Sequence, residues 1–215
     1  MAKTEIVVFG AGGFGREVAA MLKFSNLAED YELVGFIDDG LKKGHTVNGL
    51  QVLGNTDFLF ETHQPFAIAM GIGEPQTRRQ IVELLQENKN LTWPNLIHPN
   101  ARLHDPQNIK MGRGNIICDG NIITTNVDLG DFNIINLSCT IGHDAQLADY
   151  CSLMPSVNLS GGAGLEDEVY VGTGAKLIKA TTLGKGCIIG AGAVVNKDIP
   201  PGATAVGVPA KINST

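Results

Sequence analysis

The sequence is short of positive charge. Sixteen Lys and Arg stand against 22 Asp and Glu, a net charge of −6, and no basic tract offsets the balance. That excludes a general nucleic-acid binder. No apolar run approaches the roughly 20 residues that span a bilayer, so no membrane partner is expected. The start, Met1 to Glu5, has neither an apolar h-region nor a cleavage site, which predicts no signal peptide and a cytoplasmic protein. Cysteine is scarce too. There are four, without CxxC spacing, so neither a disulfide framework nor a metal site is expected. Histidine is limited to His45, His63, His98, His104 and His143. Glycine, at 27 residues, is plentiful, as a chain with many sharp corners requires.

One pattern dominates. Met111, Ile117, Ile123, Leu129, Ile135, Ile141, Leu147, Leu153, Leu159, Leu165, Val171, Leu177, Leu183, Ile189 and Val195 recur every six residues without exception. Four residues after each lies a second column of small, β-branched or Asn residues, which includes Cys139, Cys151 and Cys187. Those cysteines read as small hydrophobes. A period of six suits neither a helix nor a simple strand; it suits a hexapeptide β-helix, in which each unit gives a short strand and a corner. Three units close a triangular coil, and coils stack at about 4.8 Å. Ile97, Leu103 and Ile109 keep the same step two residues out of phase. The solenoid is therefore expected to begin near Ile97 and to slip near Ile109. The prolines after Val195 end it, and Gly207–Lys211 should cap it.

Ahead of the repeats, residues 1–96 read as a small α/β domain. A buried strand, Glu5–Phe9, runs into Gly10-Ala-Gly-Gly-Phe-Gly15 and then an apolar-periodic helix from Arg16 to Leu22. This is GxGxxG between strand and helix, a context that favours phosphate at a helix start. A second strand, Leu33–Ile37, ends at Asp38-Asp39, where an acid commonly meets a ribose hydroxyl. Further strands are expected over 51–54 and 65–70 and helices over 56–63 and from Pro75 to about Asn88, with an extended piece at 92–97. That alternation predicts a parallel sheet with helices packed on it. Residues 97–215 form the second domain. On its own the glycine loop leaves two readings open, a phosphate cradle or a tight turn without ligand.

Within the regular repeats His143 is the one histidine, and Asp144 follows it. An imidazole near a corner, oriented by a carboxylate, suits general-base chemistry near neutral pH; a solvated surface histidine is the plainer reading. Residues eighteen apart share a face, which groups His143 with Thr125, Gly161 and Lys179. A backbone N–H at Gly161 suits an oxyanion. Asn136 is a candidate for orienting substrate. Thr173 and Ala191 lie on a neighbouring column of small residues that an extended ligand would follow. Lys176, Lys179 and Lys185 are candidate phosphate contacts or simply solvated lysines.

The hexapeptide run, the His143–Asp144 pair, the ending Gly207–Lys211, the Gly10–Gly15 loop, Asp38-Asp39 and Gly71-Ile-Gly73 together resemble the bacterial nucleotide-sugar N-acetyltransferases of bacillosamine and perosamine biosynthesis. That family is related to sialic acid O-acetyltransferases, and the likeness covers nearly the whole chain. It implies a Rossmann-like domain followed by a left-handed parallel β-helix, a homotrimer, acetyl-CoA held between neighbouring β-helices and a nucleotide-linked aminosugar on the N-terminal domain. His143 matches the family's base and Asp144 its acidic neighbour. Gly12, Gly13 and Phe14, Asp38 and Asp39, and Gly73 match the sugar-nucleotide site. Ser152, Gly161, Thr173 and Ala191 match cofactor positions, with Ser152 where some relatives have histidine. The expected reaction is acetyl transfer to the C4 amine of a nucleotide-linked 4-amino-4,6-dideoxysugar, GDP-perosamine being favoured over UDP- or dTDP-linked sugars, without an acyl-enzyme. O-acetylation of a sialic-acid-type sugar is the nearest alternative. An NAD-dependent oxidoreductase and a non-catalytic scaffold are alternatives of other classes.

Overall fold

The computed structural model describes residues 3–213. Its contacts divide the chain into two compact units. The first ends at Pro99 and the second begins at Asn100, where the sequence suggested a junction between 96 and 97.

The first unit is an α/β sheet. Its elements are β1 (Thr4–Phe9), α1 (Gly13–Phe24), α2 (Leu27–Asp30), β2 (Tyr31–Ile37), β3 (Thr46–Val47), β4 (Leu50–Gly54), α3 (Thr56–Glu61), β5 (Phe66–Met70), α4 (Pro75–Leu85) and β6 (Leu91–Thr92). The strand order is β3-β4-β2-β1-β5-β6. All neighbours run parallel except the β3–β4 hairpin. Ile6, Val7, Val8 and Phe9 on β1 and Phe66–Met70 on β5 are buried throughout. Continuous apolar runs of this kind belong to strands covered on both faces. The strand expected over 51–54 is β4; the short α2 and β3, which pairs with β4 as a hairpin, have no strong periodic signal in the sequence. The expected helix to about Asn88 stops at Leu85.

The second unit is a parallel β-helix. Strands of two or three residues pair with partners eighteen positions on: Ile116–Ile117 with Ile134–Ile135, Thr140–Ile141 with Asn158–Leu159, Gln146–Leu147 with Gly164–Leu165. Fourteen of the fifteen period-six aliphatics are buried, and Met111, at the first regular unit, is half-buried. The slip is real and lies near Ile109 as expected, but before it, between Leu103 and Ile109, although Ile109 keeps step with Ile97 and Leu103 in the sequence. Arg102–Leu103 pairs with Ile122–Ile123, twenty residues on, whereas Ile109 pairs with Val127, eighteen on. The two extra residues are absorbed around a 3₁₀ turn at Pro106–Asn108. At the other end Thr204–Val206 continues one sheet and pairs antiparallel with Lys211–Ile212. That hairpin is the expected cap.

The small column solves a hydrogen-bond problem at each corner. Asn121, 1% exposed, donates through Nδ2 to Cys118 O (2.7 Å) and Ile135 O (3.0 Å), while its Oδ1 accepts the Cys139 N–H (2.8 Å). Asn115 Oδ1 and Asn133 Oδ1 likewise accept the N–H groups of Asn133 and Cys151, although the buried Nδ2 of Asn133 has no partner among the described residues. In later coils the corner N–H instead bonds three residues back, as in Ala163 to Ser160 O and Ala193 to Gly190 O, and Ala or Val suffices. The four cysteines are buried and form no disulfide. Burial pushes the Cys139 and Cys187 thiols up to about 11, which keeps them protonated and inert.

Asn121→Ala strands buried backbone groups that each cost about 1–3 kcal/mol when unmet. We expect it to lower stability by about 2–4 kcal/mol in urea denaturation, against a change within about 0.5 kcal/mol for the exposed Gln146→Ala. An unchanged midpoint for Asn121→Ala would show that the corner re-forms the local turn at no cost.

Candidate active site

In the first unit β1 has β2 on one side and β5 on the other. The carboxyl ends of β1 and β5 thus flank the point where the winding reverses, the usual ligand position in such sheets. The glycines there divide their work. Gly10 has φ +93°, a conformation that favours glycine. A Cβ on Gly15 would lie 1.8 Å from Gly10 O, so that glycine permits close packing of helix on strand. Gly12, Gly13 and Gly73 are different: a Cβ on any of them meets nothing within 4 Å, and none has a positive φ. Neither backbone conformation nor packing calls for glycine at these three positions, and bare backbone at the surface suits approach by a ligand. Phe14 is half-buried in the first turn of α1.

Asp38 and Asp39 are spent within the protein. Asp38 accepts the N–H of Ala11 (2.8 Å) through Oδ2 and those of Gly40 and Leu41 (2.9 and 3.1 Å) through Oδ1. Asp39 accepts the N–H and hydroxyl of Thr56 at 2.7–2.9 Å. Asp38 thereby ties the glycine loop to the end of β2. Sequence reasoning gave Arg78 no role, yet it is wholly buried. Its Nη1 donates to Ile72 O (2.7 Å) and Gly73 O (3.3 Å). Glu74 caps α4, accepting the N–H of Gln76 and Thr77. Partial burial works against its ionisation, but those bonds and the Arg78 charge hold its carboxyl below the usual glutamate range. An arginine five residues past a Gly-x-Gly was the available signal.

In the second unit His143 and Asp144 form one turn. Asp144 takes the positive-φ position that every corner uses, at 60°. Both side chains are well exposed, and Nδ1 lies 2.7 Å from Asp144 Oδ2. An ionised carboxylate can only accept, so Nδ1 carries the proton and Nε2 is the basic nitrogen. The His143 hydrogen bond holds the Asp144 carboxyl below the usual aspartate range; slight desolvation opposes this, and the Asn126 side chain and the His143 charge reinforce it. The imidazole packs on Gly161 in the next coil, where a Cβ would lie 2.5 Å from Cε1 and Nε2.

A second comparison explains the free donor beside that ring. At the equivalent position of another corner, Asp131 N–H is taken by Asp149 (2.7 Å) and Asp149 N–H by Asp167 (3.2 Å). Among the described residues, Gly161 N–H has no such acceptor. An exposed imidazole and an open amide donor therefore meet at one corner. Beside them runs a groove of about 610 Å³ lined by Asp144, Gln146, Gly162, Gly164, Glu166 and Thr182.

The other expected site residues fall apart into two groups. Thr173 and Ala191 are exposed on a neighbouring corner, linked by Gly192 N–H to Thr173 O (2.8 Å). Asn136 and Ser152 do not reach the surface. Asn136 is 6% exposed and its Oδ1 accepts the Leu137 N–H; Ser152 is fully buried. Lys176 is bonded to Asn158, and Lys185 faces Asp167 and Glu168. Among the described residues no group of three His, Cys, Asp or Glu side chains is placed to hold a metal ion, and no helix is long and apolar enough to cross a membrane.

Comparison with known proteins accounts for both units. The PglD N-terminal domain family matches residues 5–85. GDP-perosamine N-acetyltransferase of Escherichia coli O157:H7 is 35% identical, over 95% of this chain and 94% of the relative. A histidine-to-asparagine variant of perosamine N-acetyltransferase from Caulobacter crescentus, solved with CoA and GDP-perosamine, superposes with a TM-score of 0.90. It is 28% identical, over 100% of this chain and 99% of that one. The acetyltransferase domain of PglB from Neisseria gonorrhoeae FA1090, solved with acetyl coenzyme A, gives a TM-score of 0.89 at 34% identity, over 99% and 100% of the two chains. The oxidoreductase alternative falls here, because the glycine loop is part of a full-length likeness to acetyltransferases. With a PglD-type α/β domain joined to a left-handed parallel β-helix, the chain belongs to the N-acetyltransferase family that includes GDP-perosamine N-acetyltransferase.

Proposed function

We propose that the protein transfers acetyl from acetyl-CoA to the C4 amine of a nucleotide-linked 4-amino-4,6-dideoxysugar, with GDP-perosamine the favoured substrate. The observation that carries this reading is the His143 imidazole, fixed by Asp144 and seated on the unbonded amide of Gly161. The full-length likeness to GDP-perosamine N-acetyltransferase supports the substrate, and the CoA and acetyl-CoA complexes of relatives support the donor. Gly12, Gly13, Phe14 and Gly73 receive the nucleotide sugar, with Asp38 and Asp39 holding the loops that present it. Gly161, Thr173 and Ala191 lie along the CoA. The working assembly is a homotrimer, and the enzyme acts in the cytoplasm.

In the reaction, the neutral amine nitrogen attacks the thioester carbonyl. The new N–C bond forms as negative charge gathers on the carbonyl oxygen, which the Gly161 N–H stabilises. His143 Nε2 accepts the proton released by nitrogen. The tetrahedral intermediate then collapses, the C–S bond breaks, and His143 returns its proton to the CoA thiolate. The products are the acetamido sugar and CoA thiol. Asp144 keeps the imidazole in the right tautomer and stabilises its protonated form. The cysteines are buried and offer no exposed nucleophile, consistent with direct attack.

His143→Ala should lower kcat by about 10²–10⁴-fold, the usual worth of a general base, with little change in either KM or in the molar mass by light scattering. Wild-type turnover in that variant would remove the site. Asp144→Asn should cost less. Because the Asp144 carboxyl is held below its ordinary range, it is ionised at neutral pH. The deficit of Asp144→Asn therefore persists across the neutral range and closes only as pH falls through that lowered value.

Gly161→Ala keeps the amide donor but pushes the imidazole aside. A displacement of that kind costs on the order of 10²-fold in kcat, with the unfolding midpoint near wild type. A Gly161→Ala enzyme of normal kcat would show that the ring needs no such seat.

A further inference from the structure

We infer that Arg16 is a further substrate-binding residue, its guanidinium taking the diphosphate of the nucleotide sugar. The inference rests on the reading above, in which the first unit receives that substrate. Arg16 stands at the start of α1, directly after the glycine loop. Side chains of a helix lean toward its N-terminus, which sends this one back over the loop. Its Nε donates to Gly12 O at 3.2 Å, the carbonyl that also accepts the Arg16 backbone N–H at 3.0 Å. The guanidinium is thereby tethered at one nitrogen, and Nη1 and Nη2 form its outer edge with donors left over.

The fold itself gives Arg16 little reason to be a cation. Arg79 pairs with Glu83 (2.8 Å), and Arg78 is wholly buried on backbone carbonyls. Arg16 is exposed and pairs with no carboxylate among the described residues. At helical spacing its neighbours are Gly12, Gly13, Ala19 and Ala20, none of which can pair with it. Asp38 and Asp39 are held by Ala11, Gly40, Leu41 and Thr56 instead. A positive charge at a helix N-terminus also opposes the helix dipole, at a small cost to stability, and α1 has no acid in its first turn to offset it. A Cβ on Gly12 or Gly13 would meet nothing within 4 Å, so the rest of the unit does not fill the space beside the loop. An unpaired planar cation, tethered to an uncovered glycine loop, fits a phosphate group, because guanidinium and phosphate match as a two-pronged, charge-assisted pair. The diphosphate is the part of the nucleotide sugar with this chemistry, whichever base it bears.

The test is steady-state kinetics of the full-length enzyme with Arg16→Ala and Arg16→Lys, alongside thermal unfolding. Arg16→Ala should raise KM for the nucleotide-linked aminosugar on the order of tenfold, the worth of a charge-assisted hydrogen bond. The inhibition constant of the matching free nucleoside diphosphate should rise by the same factor. The acetyl-CoA KM and kcat should keep their wild-type values, and the unfolding midpoint should not fall, because a cation leaves the positive end of the helix. Added salt should narrow the gap between wild type and Arg16→Ala, since an exposed charge contact is screened. Arg16→Lys, which keeps the charge without the planar fork, should lie between. A wild-type sugar KM in Arg16→Ala overturns the inference, as do equal rises of both substrates' KM, and either result leaves the acetyltransferase reading standing. Should Arg16→Ala not fold, the same two results in Arg16→Lys decide the matter. A wild-type enzyme that turns over no nucleotide-linked 4-aminosugar removes that reading, and the role of Arg16 with it.

Discussion

Everything in the second unit depends on the eighteen-residue register. Each strand supplies only two or three residues to a ladder, so no single pairing is strong. The stack holds because Ile141 sits over Leu159, and Leu159 over Leu177, in unbroken order. A slip of one residue would turn aliphatic side chains outward and bring polar ones in. The same register sets His143 on Gly161, one coil apart, and sets Gly142 where a Cβ would lie 2.7 Å from the Gly161 amide. The meeting of His143 with Gly161 is thus a by-product of core packing and shares its rigidity.

The corners show one backbone position put to different uses. Where Asp131, Asp149 and Asp167 follow one another, each carboxylate bonds the amide one coil earlier. The corner is closed, and its acids serve the fold. Where Gly161 is followed one coil later by Lys179, no carboxylate stands in the closing position and the Gly161 amide stays open beside the His143 ring. The difference between scaffold and site is therefore a side-chain substitution at equivalent positions, not a change of backbone.

A similar division holds in the first unit. Gly10 and Gly15 are there for the chain itself, one for its positive φ and one for close packing. Gly12, Gly13 and Gly73 are not demanded by the chain. Asp38 and Arg78 work from beneath the two loops, one accepting an amide proton and the other donating to carbonyls. Opposite charges thus fix the two loops whose bare backbone is left at the surface.

The sequence by itself determined what is local and repeated. The period of six, the inward aliphatic column, a two-residue slip near Ile109, the strand–glycine–helix opening and the adjacency of His143 and Asp144 can all be read along the chain. The left-handed corner position was legible as well, in Gly114, Gly120, Gly162, Gly174, Gly186 and Gly192, but Phe132, Tyr150 and Glu168 at the same position hid it. Only the tertiary structure decided who meets whom at a distance. Asp38 finds Ala11 from 27 residues away, and Asp39 finds Thr56 from 17. It likewise decided that Asn136 and Ser152 are buried, that Arg78 turns inward, and that Gly161 keeps an open amide. The reason is physical. A repeat writes its own burial pattern into every unit, whereas a hydrogen bond between separate segments is chosen by the folded geometry and leaves no period in the sequence.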